Sequence, residues 1–169
     1  AVEVGYQPER TEQDDPGEVD LICYRDGLLL LLEVKSGYIR STKHEIWLHR
    51  NSTLRKAAWQ LRRKRPAVVD ALARDEALRK RLGYSGENAA DQLHAWIVDT
   101  SIELDQQLVD GFLVVSLETL QVILRDERQL LQPADQVPQE VTDTMFPDGF
   151  SAARFIEVVE EGEVWKCLD

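Results

Sequence analysis

Gly17-Glu18-Val19-Asp20-Leu21-Ile22-Cys23-Tyr24-Arg25-Asp26-Gly27-Leu28-Leu29-Leu30-Leu31-Leu32-Glu33-Val34-Lys35 sets an apolar run on each side of Asp26-Gly27. Asp-Gly between such runs is a strong short-range signal for a two-residue hairpin turn. Arg25 then opposes Leu28, Asp20 opposes Glu33 and Glu18 opposes Lys35. Opposed residues share a face with Cβ atoms about 5 Å apart. Three carboxylates and one ammonium are therefore expected in a tight square. Directly opposed carboxylates repel, and a divalent cation is the simplest relief.

The second face of the hairpin, Val19, Leu21, Cys23, Leu30, Leu32 and Val34, is apolar throughout. The first face becomes apolar past the square, through Ile22, Tyr24, Leu29 and Leu31. Strands apolar on both faces are covered on both sides, so helices should pack above and below. The charged square must then lie at a strand end, on the rim of a cleft. A surface hairpin with a weak Glu18–Lys35 salt bridge is the alternative, and five consecutive leucines speak against it.

Around the hairpin, residues 1–6 alternate like a strand, and 7–17 form a polar loop. A loop is expected over 36–52, with a short strand near Glu45 to His49. Asn51-Ser52-Thr53 would cap a helix through Leu54, Ala57, Ala58, Leu61 and Arg65. Pro66 either kinks that helix or opens a second one over 67–82. Strands follow at Leu93–Val98 and Phe112–Val115, then a helix over 117–131. The pattern from Phe155 to Leu168 suggests a hairpin, or a helix followed by a strand. A core domain over 1–132 and an acidic extension over 133–169 are the expected organisation.

The chain has 169 residues, 43% hydrophobic and 30% charged, which fits one domain with a real core. No apolar run approaches membrane-spanning length, so no membrane partner is expected. Cys23 and Cys167 are the only cysteines, Cys23 reads as a buried free thiol, and the cytoplasm is the default compartment. The chain starts without Met, as a processed chain or excised domain would.

The net charge of −11 is unevenly placed. Ten basic residues lie between Lys35 and Arg65 against Glu45 alone, leaving the rest of the chain at −20. A basic block beside the carboxylates is what a polyanion substrate needs. Arg55, Lys56, Arg62 and Arg63 are the candidates for contact with its backbone, and nothing resembles a base-reading element. The four tryptophans are scattered and read as packing residues.

Two hard oxygen donors at Asp20 and Glu33 suit Mg²⁺ or Mn²⁺. Lys35, two residues after Glu33 and on its face, can orient or help deprotonate a metal-bound water. His44-Glu45 with His49 lacks the spacing of a zinc-protease helix, and these histidines are expected at the surface or facing substrate. Asp99 ends a strand and reads as a cap.

Gly17-Glu18-Val19-Asp20-Leu21-Ile22 with Leu32-Glu33-Val34-Lys35-Ser36 resembles the signature of the PD-(D/E)xK nuclease superfamily. Its resolvase-like, RecB-like and nuclease-related-domain branches are nearest in pattern. The resemblance implies a restriction-endonuclease-like α/β core, a central mixed sheet with an active-site hairpin and helices on both faces. It implies Mg²⁺ or Mn²⁺ held by Asp20, Glu33 and the Val34 carbonyl, with Lys35 completing the catalytic site of a DNA phosphodiester hydrolase. Glu18 is either accessory to the metal ligands or a counter-charge to Lys35. Gln60 resembles a helix glutamine that relatives hold near the site, or faces solvent. Relatives also carry an acidic residue on a helix before the first strand, for which Glu3 could substitute. Partners are expected in DNA and in further domains of a larger protein, or a helicase or ATPase. The alternative is an inactive module of the same fold that serves DNA binding or assembly.

Overall fold

The computed structural model describes residues 1–10, 15–86, 88–127 and 144–166. Its centre is a six-stranded mixed sheet in the order β1-β2-β3-β4-β6-β5. The strands are β1 (Val2–Tyr6), β2 (Val19–Arg25), β3 (Leu28–Lys35), β4 (Leu93–Asp99), β5 (Leu108–Val109) and β6 (Phe112–Ser116). The β1–β2–β3 meander is antiparallel, β4 lies parallel to β3 and to β6, and β5 returns antiparallel to β6.

Asp26 and Gly27 close the central hairpin with φ of 50° and 83°. Positive φ at both central residues makes the turn type I′, whose twist suits the strands it joins. The ladder runs from Arg25–Leu28 to Leu21–Leu32. That is the register expected from the sequence, and it ends one residue short of Asp20.

Helices cover both faces. On one lie α1 (Lys43–His49), α2 (Arg55–Arg74), α3 (Glu76–Leu82) and α4 (Ala89–Gln92), packed on Ile22, Leu29, Leu31 and Ile97. On the other, α5 (Leu117–Arg125) and α6 (Ala152–Glu160) enclose Leu30, Leu32, Trp96 and Val98. Val19 joins the first core rather than the second, where simple alternation puts it. Beside it the β1–β2 ladder omits the Gly5–Asp20 pair, and Gly5 has φ of 64°.

The chain from 43 to 74 is where the elements depart most from expectation. In place of a strand near His49 there is helix α1, started by a capping box. The Thr42 hydroxyl accepts from the Glu45 N–H at 3.2 Å, and the Glu45 carboxylate accepts from the Thr42 N–H at 3.0 Å. The Thr42 hydroxyl also holds the Glu45 carboxyl below its usual range. Asn51 to Thr53 cap nothing. They lie in a π-helical turn, Arg50–Leu54, that joins α1 to α2, with Asn51 and Ser52 side chains bonded back to the Trp47 and Leu48 carbonyls. The extra residue in this turn lets His49 and Leu54, five apart, both point inward.

Pro66 lies inside α2 and does not end it. Val68, Ala71 and Leu72 continue the buried stripe beyond it, and each large aliphatic buried stabilises the fold by roughly 1.5–3 kcal/mol, enough to offset one missing N–H. The break comes at Asp75, which leaves the helical region and caps α3 through the Leu78 N–H at 2.9 Å. At the C-terminal end the helix of the two expected alternatives is present as α6, and a short 3₁₀ turn, Glu163–Trp165, follows it in place of a strand. The helix expected over 117–131 ends at Arg125, where Asp126 takes the left-handed conformation with φ of 56°; residues 128–131, Pro133, Cys167 and Leu168 lie outside the described residues.

Tyr6 donates to Asp75 Oδ2 at 3.1 Å. Burial, reinforced by that carboxylate, pushes its phenol up to about 12. An unfolded tyrosine ionises near pH 10, so the contact contributes fully below about pH 10 and is lost as pH rises through about 12. An alkaline ultraviolet titration is expected to show a late phenol that disappears in Tyr6→Phe. A curve unchanged by that substitution contradicts the contact.

Candidate active site

Glu33, near the C-terminal end of β3, is 1% exposed. An uncompensated carboxylate there would cost several kcal/mol. Two ammoniums compensate it: Lys35 Nζ lies 2.5 Å from Oε1 and Lys64 Nζ 2.5 Å from Oε2. Lys64 comes from α2, where its inward position places a 2%-exposed lysine over the sheet.

Asp20, at the start of β2, faces the same charges. Its Oδ2 accepts the Val34 N–H at 2.7 Å, so the side chain takes over where the ladder stops. Its Oδ1 lies 3.8 Å from Lys64 Nζ, too long for a hydrogen bond but close enough for attraction. Two carboxylates from adjacent strands thus converge on one cationic position, held by the Lys64 ammonium. Hard oxygens in that disposition fit a small divalent ion, and Asp20 and Glu33 are the residues that could hold one. Such an ion would compete with Lys64 for the same oxygens.

Beside Lys35 opens a cleft of about 360 Å³, lined by Lys35, Ser52, Thr53, Lys56 and Gln60. Gln60 is one helical turn before Lys64, and its Oε1 is buried without a hydrogen-bond partner among the described residues. A buried acceptor left unpaired is costly.

Comparisons with protein-family models, with curated proteins and with solved structures find no match. Geometry alone distinguishes the residues that meet from those that do not.

Asp20, Glu33 and Lys35 come together as expected, and Gln60 lines the cleft with Lys35. Glu18 does not. It precedes β2, and its carboxylate accepts from Gln7 Nε2 at 2.9 Å, beyond the end of β1. Lys35 takes Glu33 as its partner instead. Glu3 is committed to Arg81 on α3, with Arg81 Nε 2.9 Å from its Oε2.

The four basic candidates divide. Arg55 pairs with Asp110 at 3.2 Å, and Arg62 donates to the Asp110 carbonyl, both at the β5–β6 turn. Arg63 donates to the Asp15 carbonyl. Lys56 alone of the four lines the cleft.

A second polar group sits at the end of β4, where Asp99 is in register with Lys35. Asp99 is fully buried and His49 nearly so, so His49 faces neither surface nor substrate and Asp99 is more than a strand cap. Asp99 Oδ2 lies 2.5 Å from His49 Nε2 and accepts from the Ser101 hydroxyl at 2.8 Å. Arg40 reaches His49 Nδ1 at 2.7 Å and Ser101 Oγ at 2.9 Å. Arginine can only donate, so Nδ1 accepts and the ring proton lies on Nε2, toward Asp99. Thr100 donates its N–H to the Lys35 carbonyl at 3.0 Å and accepts the Gly37 N–H at 2.8 Å. Together these bonds fix the chain leaving Lys35. Residues as distant as Arg40, His49 and Asp99 gave no local signal, whereas Thr42-x-x-Glu45 was a legible helix start.

Proposed function

We propose that this chain is a divalent-metal-dependent nuclease domain, built on a restriction-endonuclease-like core, that hydrolyses phosphodiester bonds in DNA. The observation that carries the reading is the buried Glu33 carboxylate, set between Lys64 and Lys35 opposite Asp20, with Lys35 also lining a cleft. The six-stranded sheet with helices on both faces, and the two lysines, Lys35 and Lys56, that line the cleft, agree with it.

Asp20 and Glu33 would hold Mg²⁺ or Mn²⁺, with the Val34 carbonyl as a further ligand by the family resemblance. When bound, such an ion polarises a phosphoryl oxygen and lowers the pKa of water. Lys35 keeps one ammonium at the cleft wall, where it orients the attacking water and stabilises charge growing on the phosphate. Gln60 lines the cleft beside Lys35. Lys56 neutralises the backbone in a sequence-independent way. The Arg40–His49–Asp99 group holds the segment after Lys35 so that the ammonium stays in place.

Incubating the purified chain with DNA in Mg²⁺ or Mn²⁺, beside Asp20→Ala, tests the reading. Cleavage by wild type alone is the expected result. Equal cleavage by both sinks it.

One observation favours a second reading, a nuclease-fold module that binds without cutting. Both Glu33 oxygens already carry an ammonium partner, so its charge is satisfied without metal. Salt-dependent DNA binding with no response to divalent ions would support that module.

A further inference from the structure

The continuous helical run from 43 to 74 turns a second feature toward solvent. Positions 44, 48, 52, 56, 59 and 63 recur at three- to four-residue spacing and so share one stripe. They are His44, Leu48, Ser52, Lys56, Trp59 and Arg63. Ser52 and Lys56 are also walls of the Lys35 cleft, so the stripe passes the proposed catalytic lysine.

Two tryptophans expose more than half their surface along this run, Trp47 at 58% and Trp59 at 51%. Trp96, by contrast, is 1% exposed and serves the core. Trp47 stacks on His44 with ring centroids 6.2 Å apart and planes 12° from parallel. The Arg63 guanidinium lies 4.5 Å from the Trp59 ring centroid. Just upstream, Tyr38 and Ile39 are 69% and 77% exposed. Large flat apolar groups left in water beside cations are a recurrent mark of an interaction surface.

A protein partner would use the rings but has no need for the cations set among them, Lys56 and Arg63. A duplex would use the charge but hides its base faces within its own stack. Unpaired polynucleotide offers both a phosphate chain and free π-faces, and it is met by basic grooves with aromatic platforms.

We infer that single-stranded DNA is the substrate form, lying along the stripe with bases stacked on Trp47 and Trp59 and its backbone passing Lys56 toward Lys35. Twelve residues of helix separate the tryptophans, about 18 Å at 1.5 Å per residue, a reach of several nucleotides. The substrate role rests on the nuclease reading; the binding mode does not.

Anisotropy titrations with a labelled oligothymidylate and a duplex of equal length, both in EDTA, separate the two. Single strand is expected to bind at least tenfold more tightly than duplex. Trp59→Ala and Trp47→Ala should each weaken single-strand binding roughly 5- to 150-fold, leave duplex binding unchanged, and be largely rescued by Phe. Duplex binding as tight as single-strand binding, or alanine variants that bind single strand like wild type, overturns the inference. Single-strand preference without cleavage in Mg²⁺ upholds the stacking surface and rejects the nuclease reading. Cleavage without that preference does the reverse.

Discussion

Lys64→Met is expected to lower the unfolding free energy in EDTA by about 3 kcal/mol, near the lower end of the cost of breaking a buried ion pair. Lys64 is 2% exposed and 2.5 Å from Glu33. Methionine keeps most of the stem's packing, so the loss reports charge rather than volume. The cost stays at the lower end because Lys35 still neutralises the other oxygen. The same variant should gain more from divalent metal than wild type does, since the ion no longer competes with an ammonium between Asp20 and Glu33. Saturation at about a hundredfold over the dissociation constant returns about 2.7 kcal/mol. Urea unfolding of both proteins with and without Mg²⁺ measures this. A variant as stable as wild type and indifferent to Mg²⁺ would show that the Lys64 position is not the cation position.

Lys35→Met is expected to reduce the cleavage rate constant roughly 10²- to 10⁴-fold, the range for losing a group that positions or takes a proton. Its ammonium borders the cleft while bonding Glu33 Oε1. Removing it frees that oxygen, so Mn²⁺ affinity should hold or rise as the rate falls. Single-turnover cleavage and metal titration on the same variant separate the effects. Equal loss of both would make Lys35 a structural counter-charge.

Lys35 and Glu33 were legible because a strand alternates rigidly and Asp26-Gly27 pins the register. The two-sided burial followed from the leucines for the same reason. Alternation failed at Glu18, because the β2–β3 ladder stops at Leu21–Leu32 and the chain before β2 turns toward Gln7. It failed again at Val19, where the ladder to β1 skips a pair. Lys64 looked like one more surface cation in a basic run. Its inward aim depends on helical phase, and that phase is set by a π turn at Arg50–Leu54 and by continuation through Pro66. Neither is written in local propensity. Arg40, His49 and Asp99 meet only because α1 packs over the end of β4, a tertiary fact that spacing cannot carry. The tryptophans look scattered in the sequence, yet α1 and α2 leave Trp47 and Trp59 exposed beside the cleft.

The central claim is that Asp20 and Glu33 form a cation-binding pair. Calorimetric titration of Mn²⁺ into wild type and Asp20→Asn, without DNA, tests it most directly, since Asp20 is half-buried and its amide keeps the shape of the carboxylate. Saturable binding by wild type, lost in the variant while unfolding stability is retained, is the predicted result. No binding by wild type, or equal binding by both, would contradict it.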